Sequence, residues 1–171
     1  MGNSITLNEA HSILEKLFNK EWERRDLEDD VIVIDGKVRH LFVVSQSKSY
    51  QIELERGFLY ASAKGHPVMR DVAPGDIIFS VVNGEVVSVE IAMDTASETL
   101  GNELGYIINC VYCFFSCPIS LIPLRSKIAG LRPFDKNGYL PQAGYIHHLS
   151  SSVAYVFITE AKKAGNTLRK L

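Results

Sequence analysis

Apolar residues recur at helical spacing near the start of the chain. Thr6 and Glu9 form a capping box, in which the hydroxyl and the carboxylate satisfy backbone N–H groups of the first turn. The apolar stripe that follows predicts a helix over residues 7–25, with Trp22 on its buried face. Eight charged residues within residues 21–30 predict a solvated helix end and a loop. The stripe consists of Ala10, Ile13, Leu14, Leu17, Phe18 and Trp22.

The middle of the chain has the apolar pattern of short strands separated by turns. Asp35-Gly36 and Asn83-Gly84 each lie between two apolar runs, and such dipeptides supply the positive φ angles of a two-residue hairpin turn. Two hairpins are therefore predicted, together with one long strand and two short ones. The predicted strands cover residues 31–34, 38–44, 59–61, 77–82, 86–93, 106–119 and 144–149.

Helices are also predicted after the long strand. Residues 123–131 have the pattern of one or two helical turns. A final helix begins after a serine cap at Ser151 or Ser152 and ends at Gly165. Strands grouped between helices predict an α+β fold, with a curled, mostly antiparallel sheet or small barrel and flanking helices.

Composition favours a globular chain with one main domain. The 171 residues are 46% hydrophobic and 22% charged, which is enough for a core and unlike a disordered chain. We divide the chain into a helix with an acidic connector at residues 1–30 and a sheet domain at residues 31–171. No apolar run reaches the ~20 residues of a membrane helix, and the N-terminus has no secretory pattern. A cytoplasmic protein without a membrane partner is expected.

The formal net charge of −2 is unevenly distributed. Residues 1–36 contain nine acidic and four basic side chains, and the remaining residues have a net charge of +3. The body of the chain is therefore mildly basic, which is compatible with an anionic ligand.

Recognisable catalytic and metal-binding motifs are absent from the sequence. There is no Walker A loop, GxGxxG, GxSxG or HExxH pattern. Cys110 and Cys113 lie on opposite faces of the predicted long strand, and no second pair completes a zinc site with Cys117. We therefore expect buried thiols, no metal, no cofactor and no catalytic activity.

One aromatic residue lies where it can face the mouth of the predicted sheet. Tyr60 follows Gly57 by three residues at the end of a short strand. The Pro74-Gly75 turn then starts another buried strand. This arrangement is suited to holding a flat ring such as a nucleobase.

An ordered set of motifs extends over residues 42–149. Its first half consists of Phe42-Val43-Val44-Ser45-Gln46-Ser47-Lys48-Ser49-Tyr50, Glu53, Gly57-Phe58-Leu59-Tyr60-Ala61 and Val72-Ala73-Pro74-Gly75-Asp76-Ile77-Ile78-Phe79. Its second half consists of Gly105-Tyr106-Ile107-Ile108-Asn109-Cys110-Val111-Tyr112, Pro118-Ile119, Pro133-Phe134, Asn137-Gly138 and Gln142-Ala143-Gly144-Tyr145-Ile146. In this order the motifs resemble the EVE domain of the PUA-like superfamily, which is related to the YTH readers of methylated RNA.

The resemblance implies a PUA-like reader that flips a modified DNA base, such as 5-methylcytosine, into an aromatic pocket. EVE-type modules occur with nucleases or motors in modification-dependent restriction enzymes, so a nuclease or motor partner is implied. The family usually has Trp where this chain has Tyr60, and a second aromatic residue at Val68 or His66. The implied base contacts are Tyr60, Phe79, Ser80, Ser45 and Gln46. The implied contacts to the nucleic-acid backbone are Lys48, Lys64, His66 and Arg70.

Three alternative functions remain at this point. PUA-like folds also bind RNA, so an RNA reader is one alternative. A small nucleotide-acting enzyme is another, with Asp71, Asp76 or His66 at its pocket. The third is an interaction subunit whose acidic N-terminal helix docks a partner.

Overall fold

A computed structural model describes residues 4–25, 28–46, 57–62, 67–99, 105–142 and 144–166 of the chain. These residues form an α+β fold in which a curled, mostly antiparallel sheet is flanked by helices, as the sequence predicts. The helices are α1 (Leu7–Phe18), α2 (Arg125–Ile128) and α3 (Ser151–Lys163), with 3-10 turns at Pro67–Asp71 and Ile122–Leu124. The strands are β1 (Glu23–Arg25), β2 (Glu28–Ile34), β3 (Lys37–Gln46), β4 (Phe58–Ser62), β5 (Ile77–Val82), β6 (Glu85–Ala92), β7 (Ser97–Thr99), β8 (Gly105–Ser120) and β9 (Ile146–His148).

The nine described strands follow the order β1-β2-β3-β5-β6-β8-β4, with β7 paired to β8 and β9 paired to β3. β3 pairs in parallel with β5, and the other described pairs are antiparallel. The long strand β8 lies beside β6 along its second half and beside β4 along its first. Because one strand belongs to both parts, the sheet curls instead of remaining flat.

The two faces of the sheet bury separate clusters. The helix-side core joins strand residues such as Phe79 and Val89 to the apolar faces of α1 and α3. The inner core is enclosed by the curl and includes Phe42, Ile78 and Tyr112. Alternation along β5 sends Phe79 to one cluster and Ile78 to the other, as expected for a strand covered on both sides.

Both predicted hairpins are confirmed. The first turn pairs Ile34 with Lys37 across Asp35 and Gly36, whose φ angles are 55° and 73°. The second has the same two-residue form, with φ angles of 51° and 76°. Positive φ at both central residues defines a type I′ turn, which matches the twist of antiparallel strands.

The predicted helix over residues 7–25 is wrong in its second half. α1 ends at Phe18, and Lys20 takes a left-handed φ of 56° beyond the Asn19 cap. The following residues form β1 and β2 in place of a solvated loop, with Arg24 paired to Ile32. The edge pairing available from β2 therefore outweighs the local helical pattern. The boundary drawn at residue 30 falls inside β2, and α1 contributes to the helix-side core.

Candidate functional site

Phe79 was expected to form a wall of the base pocket, and this expectation is wrong. Its side chain has no exposed surface and belongs to the helix-side core. Its ring centroid lies 5.4 Å from that of Phe157 on α3, with the planes at 68°. A residue enclosed between sheet and helix cannot contact a base entering from solvent.

Ser80 is also enclosed, on the inner face of the sheet. Its hydroxyl donates to Oε1 of Glu90 at 2.8 Å, and the Ser88 hydroxyl donates to the same oxygen. Ser80, Ser88 and Glu90 have no exposed surface, so Ser80 does not contact a base in this structure. Sequence reasoning missed Glu90, whose signal was a lone carboxylate between Val89 and Ile91 in an apolar strand.

Gln46 and Ser45 lie at the end of β3 on different faces. The Gln46 amide is buried and donates to the Tyr145 hydroxyl at 3.2 Å. Ser45 is exposed and lines an open cleft. The two residues are adjacent in sequence but do not form one set of contacts to a base edge.

Tyr60 is half-buried on β4, opposite Ile107 of β8. Its neighbour Leu59 belongs to the inner core, so the alternation of a strand places Tyr60 on the other face, away from Ser80. Base stacking by Tyr60 remains a prediction, but the structure does not bring Tyr60 together with the other expected base contacts.

Arg70 has a well-defined partner in the structure. Its Nε donates to the Tyr106 hydroxyl at 2.6 Å, and its guanidinium carbon lies 5.3 Å from the ring centroid. The side chain is exposed, which leaves its charge accessible to an anion. The other three expected backbone contacts, Lys48, Lys64 and His66, lie outside the described residues.

The acidic residues proposed for a nucleotide-acting enzyme have structural partners. Asp76 is buried and accepts the backbone N–H of His40 at 2.9 Å and that of Ala73 at 2.7 Å. Burial raises the pKa of Asp76, and these two donors lower it in part. Asp71 Oδ2 lies 3.0 Å from Nε2 of His148, whose Nδ1 lies 3.1 Å from Asp30 Oδ2. The His148 ring thus lies between the carboxylates of Asp30 and Asp71.

Metal binding gains no support from the part of the chain that the structure describes. No group of three or more His, Cys, Asp or Glu side chains is arranged there to hold a metal ion. Cys110 and Cys113 lie in different clusters, as alternation predicts, whereas Cys117 is exposed and not buried as expected. None of the described helices is both long and apolar enough to cross a membrane.

A cleft of about 550 Å³ lies at the end of the sheet where β5 turns into β6. Ligand pockets in proteins typically measure ~300–1,000 Å³, so the cleft is large enough for a nucleoside. It separates the β5–β6 turn from the segments that contain α2 and residues 138–142. Its lining includes polar Ser45, Asn83 and Gln142 and apolar Ile122 and Leu140.

Asp135 shapes the loop that forms one wall of this cleft. Its Oδ1 accepts the backbone N–H groups of Asn137 at 2.8 Å and Tyr139 at 3.0 Å. These donors, Tyr139 first, hold the pKa of Asp135 below its usual range. Gly138 has a φ of 83°, and a Cβ there would lie 2.7 Å from the backbone oxygen of Arg125. The loop therefore packs directly on α2, which fixes the position of Tyr139.

Tyr139 and Arg125 form a cation–π pair at the cleft. The guanidinium carbon of Arg125 lies 4.1 Å from the centroid of the Tyr139 ring, and Tyr139 is 49% exposed. Arg125 makes no ion pair with any residue that the structure describes. The cleft thus combines an accessible aromatic ring with a cation, and the exposed carboxylate of Glu85 also lines it. Neither residue was among the predicted site residues: Arg125 lies in the helical turns predicted for residues 123–131, and Tyr139 lies in the loop that follows them.

Comparison with known proteins adds information on the fold alone. No family model matches the chain, and no curated protein matches it. Among solved structures, the chain is similar to Rpa0253 from Rhodopseudomonas palustris, determined by NMR. The TM-score is 0.51 at 12% sequence identity, covering 73% of this chain and 92% of the other. At this identity the similarity shows a shared fold and gives no information about function.

We expect the stability that Asp135 contributes to the fold to depend on pH. Because folding lowers the pKa of Asp135, its contribution to stability is present above the unfolded pKa, near 3.8, and is lost as the pH falls through the folded pKa. Replacing Asp135 with Ala should therefore reduce the loss of unfolding free energy between pH 7 and pH 3. Denaturant titrations at both pH values measure this, with Glu15→Ala, an exposed helix carboxylate, as the control. An identical loss in Asp135→Ala and the parent chain would contradict the assignment.

Proposed function

We propose that this chain is a nucleic-acid-binding module that holds one unstacked base in the cleft beside Tyr139. The observation that carries the proposal is the exposed Tyr139 ring with the Arg125 guanidinium at 4.1 Å. Stacking on an aromatic ring is worth ~1–3 kcal/mol per base and tolerates any base. The guanidinium supplies the charge-assisted hydrogen bonds that phosphate oxygens favour.

The other side chains that line the cleft can form hydrogen bonds with the edge of a base. Asn83 and Gln142 offer amide donors and acceptors, and Ser45 offers a hydroxyl. Ile122 is 66% exposed and gives an apolar surface for an added methyl group. Extruding a base from a duplex costs a few kcal/mol, so the affinity for the flipped base must offset this cost.

In this proposal the chain binds the nucleic acid, and a partner protein cleaves or translocates it. A modified-base reader of this kind would be the specificity module of a modification-dependent restriction system, acting in the cytoplasm with a nuclease or motor. The resemblance to the EVE domain supports DNA as the ligand, and the same cleft chemistry suits RNA.

Binding measurements on matched duplexes test the function. The duplexes contain 5-methylcytosine, 5-hydroxymethylcytosine, N6-methyladenine or no modification at one position. At least one modified duplex should bind more tightly than the plain duplex, since the added group contacts the apolar wall of the cleft. Equal affinity for all four duplexes would overturn the proposal, and tighter binding of a matched RNA would replace DNA with RNA as the ligand.

A further inference from the structure

A second group of basic and aromatic side chains lies where α1 and β1 meet α3. We name it the Tyr155 patch, consisting of Lys20, Trp22, Arg24 and Tyr155. Lys20 Nζ lies 4.2 Å from the Tyr155 ring centroid, and the guanidinium carbon of Arg24 lies 5.2 Å from it. Trp22 meets the same ring edge to face at 6.1 Å. Two cations therefore converge on one ring, which is 42% exposed.

The two cations have neutral hydrogen-bond partners. Lys20 Nζ donates to the Thr159 hydroxyl at 2.8 Å, and Arg24 donates to the Ser152 hydroxyl at 3.3 Å. Within the described ranges, neither Lys20 nor Arg24 forms an ion pair. Hydroxyl partners therefore fix the positions of the two cations, and no described carboxylate lies within ion-pair distance of either one.

The backbone of Lys20 adds an independent observation. With a φ of 56°, Lys20 occupies the left-handed position after a helix cap, where glycine is strongly favoured because a Cβ is costly. Two backbone hydrogen bonds complete this helix end: Lys20 N–H donates to Leu17 O, and Glu21 N–H donates to Lys16 O. A lysine at such a position accepts backbone strain, and strain of this kind is found at ligand-binding sites. Its side chain places the ammonium group over Tyr155.

We propose that the Tyr155 patch binds a phosphate group of the nucleic-acid backbone, as a contact independent of base identity. The proposal rests on the proposed nucleic-acid function. The cavity between the four side chains is about 250 Å³, below the ~300–1,000 Å³ of pockets that enclose a whole ligand. A cavity of this size, lined by an ammonium and a guanidinium group, suits one phosphate. Arg24 supplies directed hydrogen-bond donors, and Lys20 supplies a point charge.

The only tryptophan of the chain lies in the patch, so fluorescence reports on it directly. Titrating an unmodified duplex oligonucleotide should change the Trp22 emission. Lys20→Gly and Arg24→Gln should each weaken the binding of modified and unmodified duplexes about equally, by several-fold at low salt. Each variant should lower the slope of log affinity against log salt by about one. Lys37→Ala, an exposed lysine outside the patch, should leave the slope unchanged.

Lys20→Gly also separates binding from folding. Glycine relieves the left-handed strain, so its melting temperature should equal or exceed that of the parent chain while affinity falls. Unchanged salt slopes in both Lys20→Gly and Arg24→Gln, with modified-base preference intact, would overturn the patch and leave the proposed function standing. A Trp22 response and reduced slopes without any modified-base preference would overturn base reading and keep the patch. Absence of binding to every oligonucleotide would overturn both.

Discussion

Replacing Tyr139 with Ala should weaken binding of the preferred modified duplex by about five- to 150-fold. The range corresponds to the ~1–3 kcal/mol that one base–aromatic stack contributes. The ring is half-exposed and packs beside Arg125, so its loss removes a ligand surface and leaves the core intact. Isothermal titration or fluorescence anisotropy at fixed salt measures the change.

Two further variants make the Tyr139 result specific. Tyr139→Phe keeps the ring and should retain most of the affinity. Tyr60→Ala tests the stacking residue that the sequence favoured, which lies on β4 and does not line the cleft. If Tyr60→Ala abolishes discrimination between modified and plain duplexes and Tyr139→Ala preserves it, the base is held beside β4 and the cleft assignment is wrong.

Phe79→Ala should lower the free energy of unfolding by about 3–5 kcal/mol, the usual cost of removing a large buried ring. The ring has no exposed surface and meets Phe157 at 5.4 Å, so truncation leaves a cavity between β5 and α3. Urea denaturation followed by circular dichroism measures the loss, and the slope of the transition shows whether unfolding remains cooperative.

Phe79→Leu fills most of the cavity and should cost less than the alanine change. Measuring both stability and base preference in the Phe79 variants also decides whether Phe79 belongs to the core or to a base pocket. A Phe79→Ala protein that keeps its stability and loses only its preference for a modified base would restore Phe79 to the pocket. Tyr139→Ala should show the opposite behaviour, with stability close to that of the parent chain.

Locally determined elements were predictable from the sequence. The start of α1 depends on Thr6 and Glu9, and the backbone N–H of Glu9 does donate to the Thr6 hydroxyl. Each hairpin turn is specified by two adjacent residues. The parallel pairing of β3 with β5 joins segments more than thirty residues apart in the chain, and no local pattern encodes it. The end of α1 was missed because β1 forms only when β2 is present to pair with it.

The site was harder to predict than the fold. Alternation identifies two faces of a strand, but both faces of β5 are covered, so neither Phe79 nor Ser80 is accessible. Tyr139 and Arg125 come together because a loop folds onto α2 through Asp135 and Gly138. The one sequence signal available was an aspartate shortly before Asn137-Gly138, which is typical of a turn closed by a side chain.

The central position of β3 has a consequence for the order in which the chain can assemble. This strand takes β2, β5 and β9 as partners, and β9 lies about a hundred residues further along the chain. During synthesis the stretch Phe42–Val44 therefore lacks its last neighbour until about a hundred further residues have been made. Such high contact order slows folding, and the temporarily open strand edge is apolar and prone to pair with other chains. This edge of the nascent protein therefore stays open to aggregation until residues 146–148 emerge.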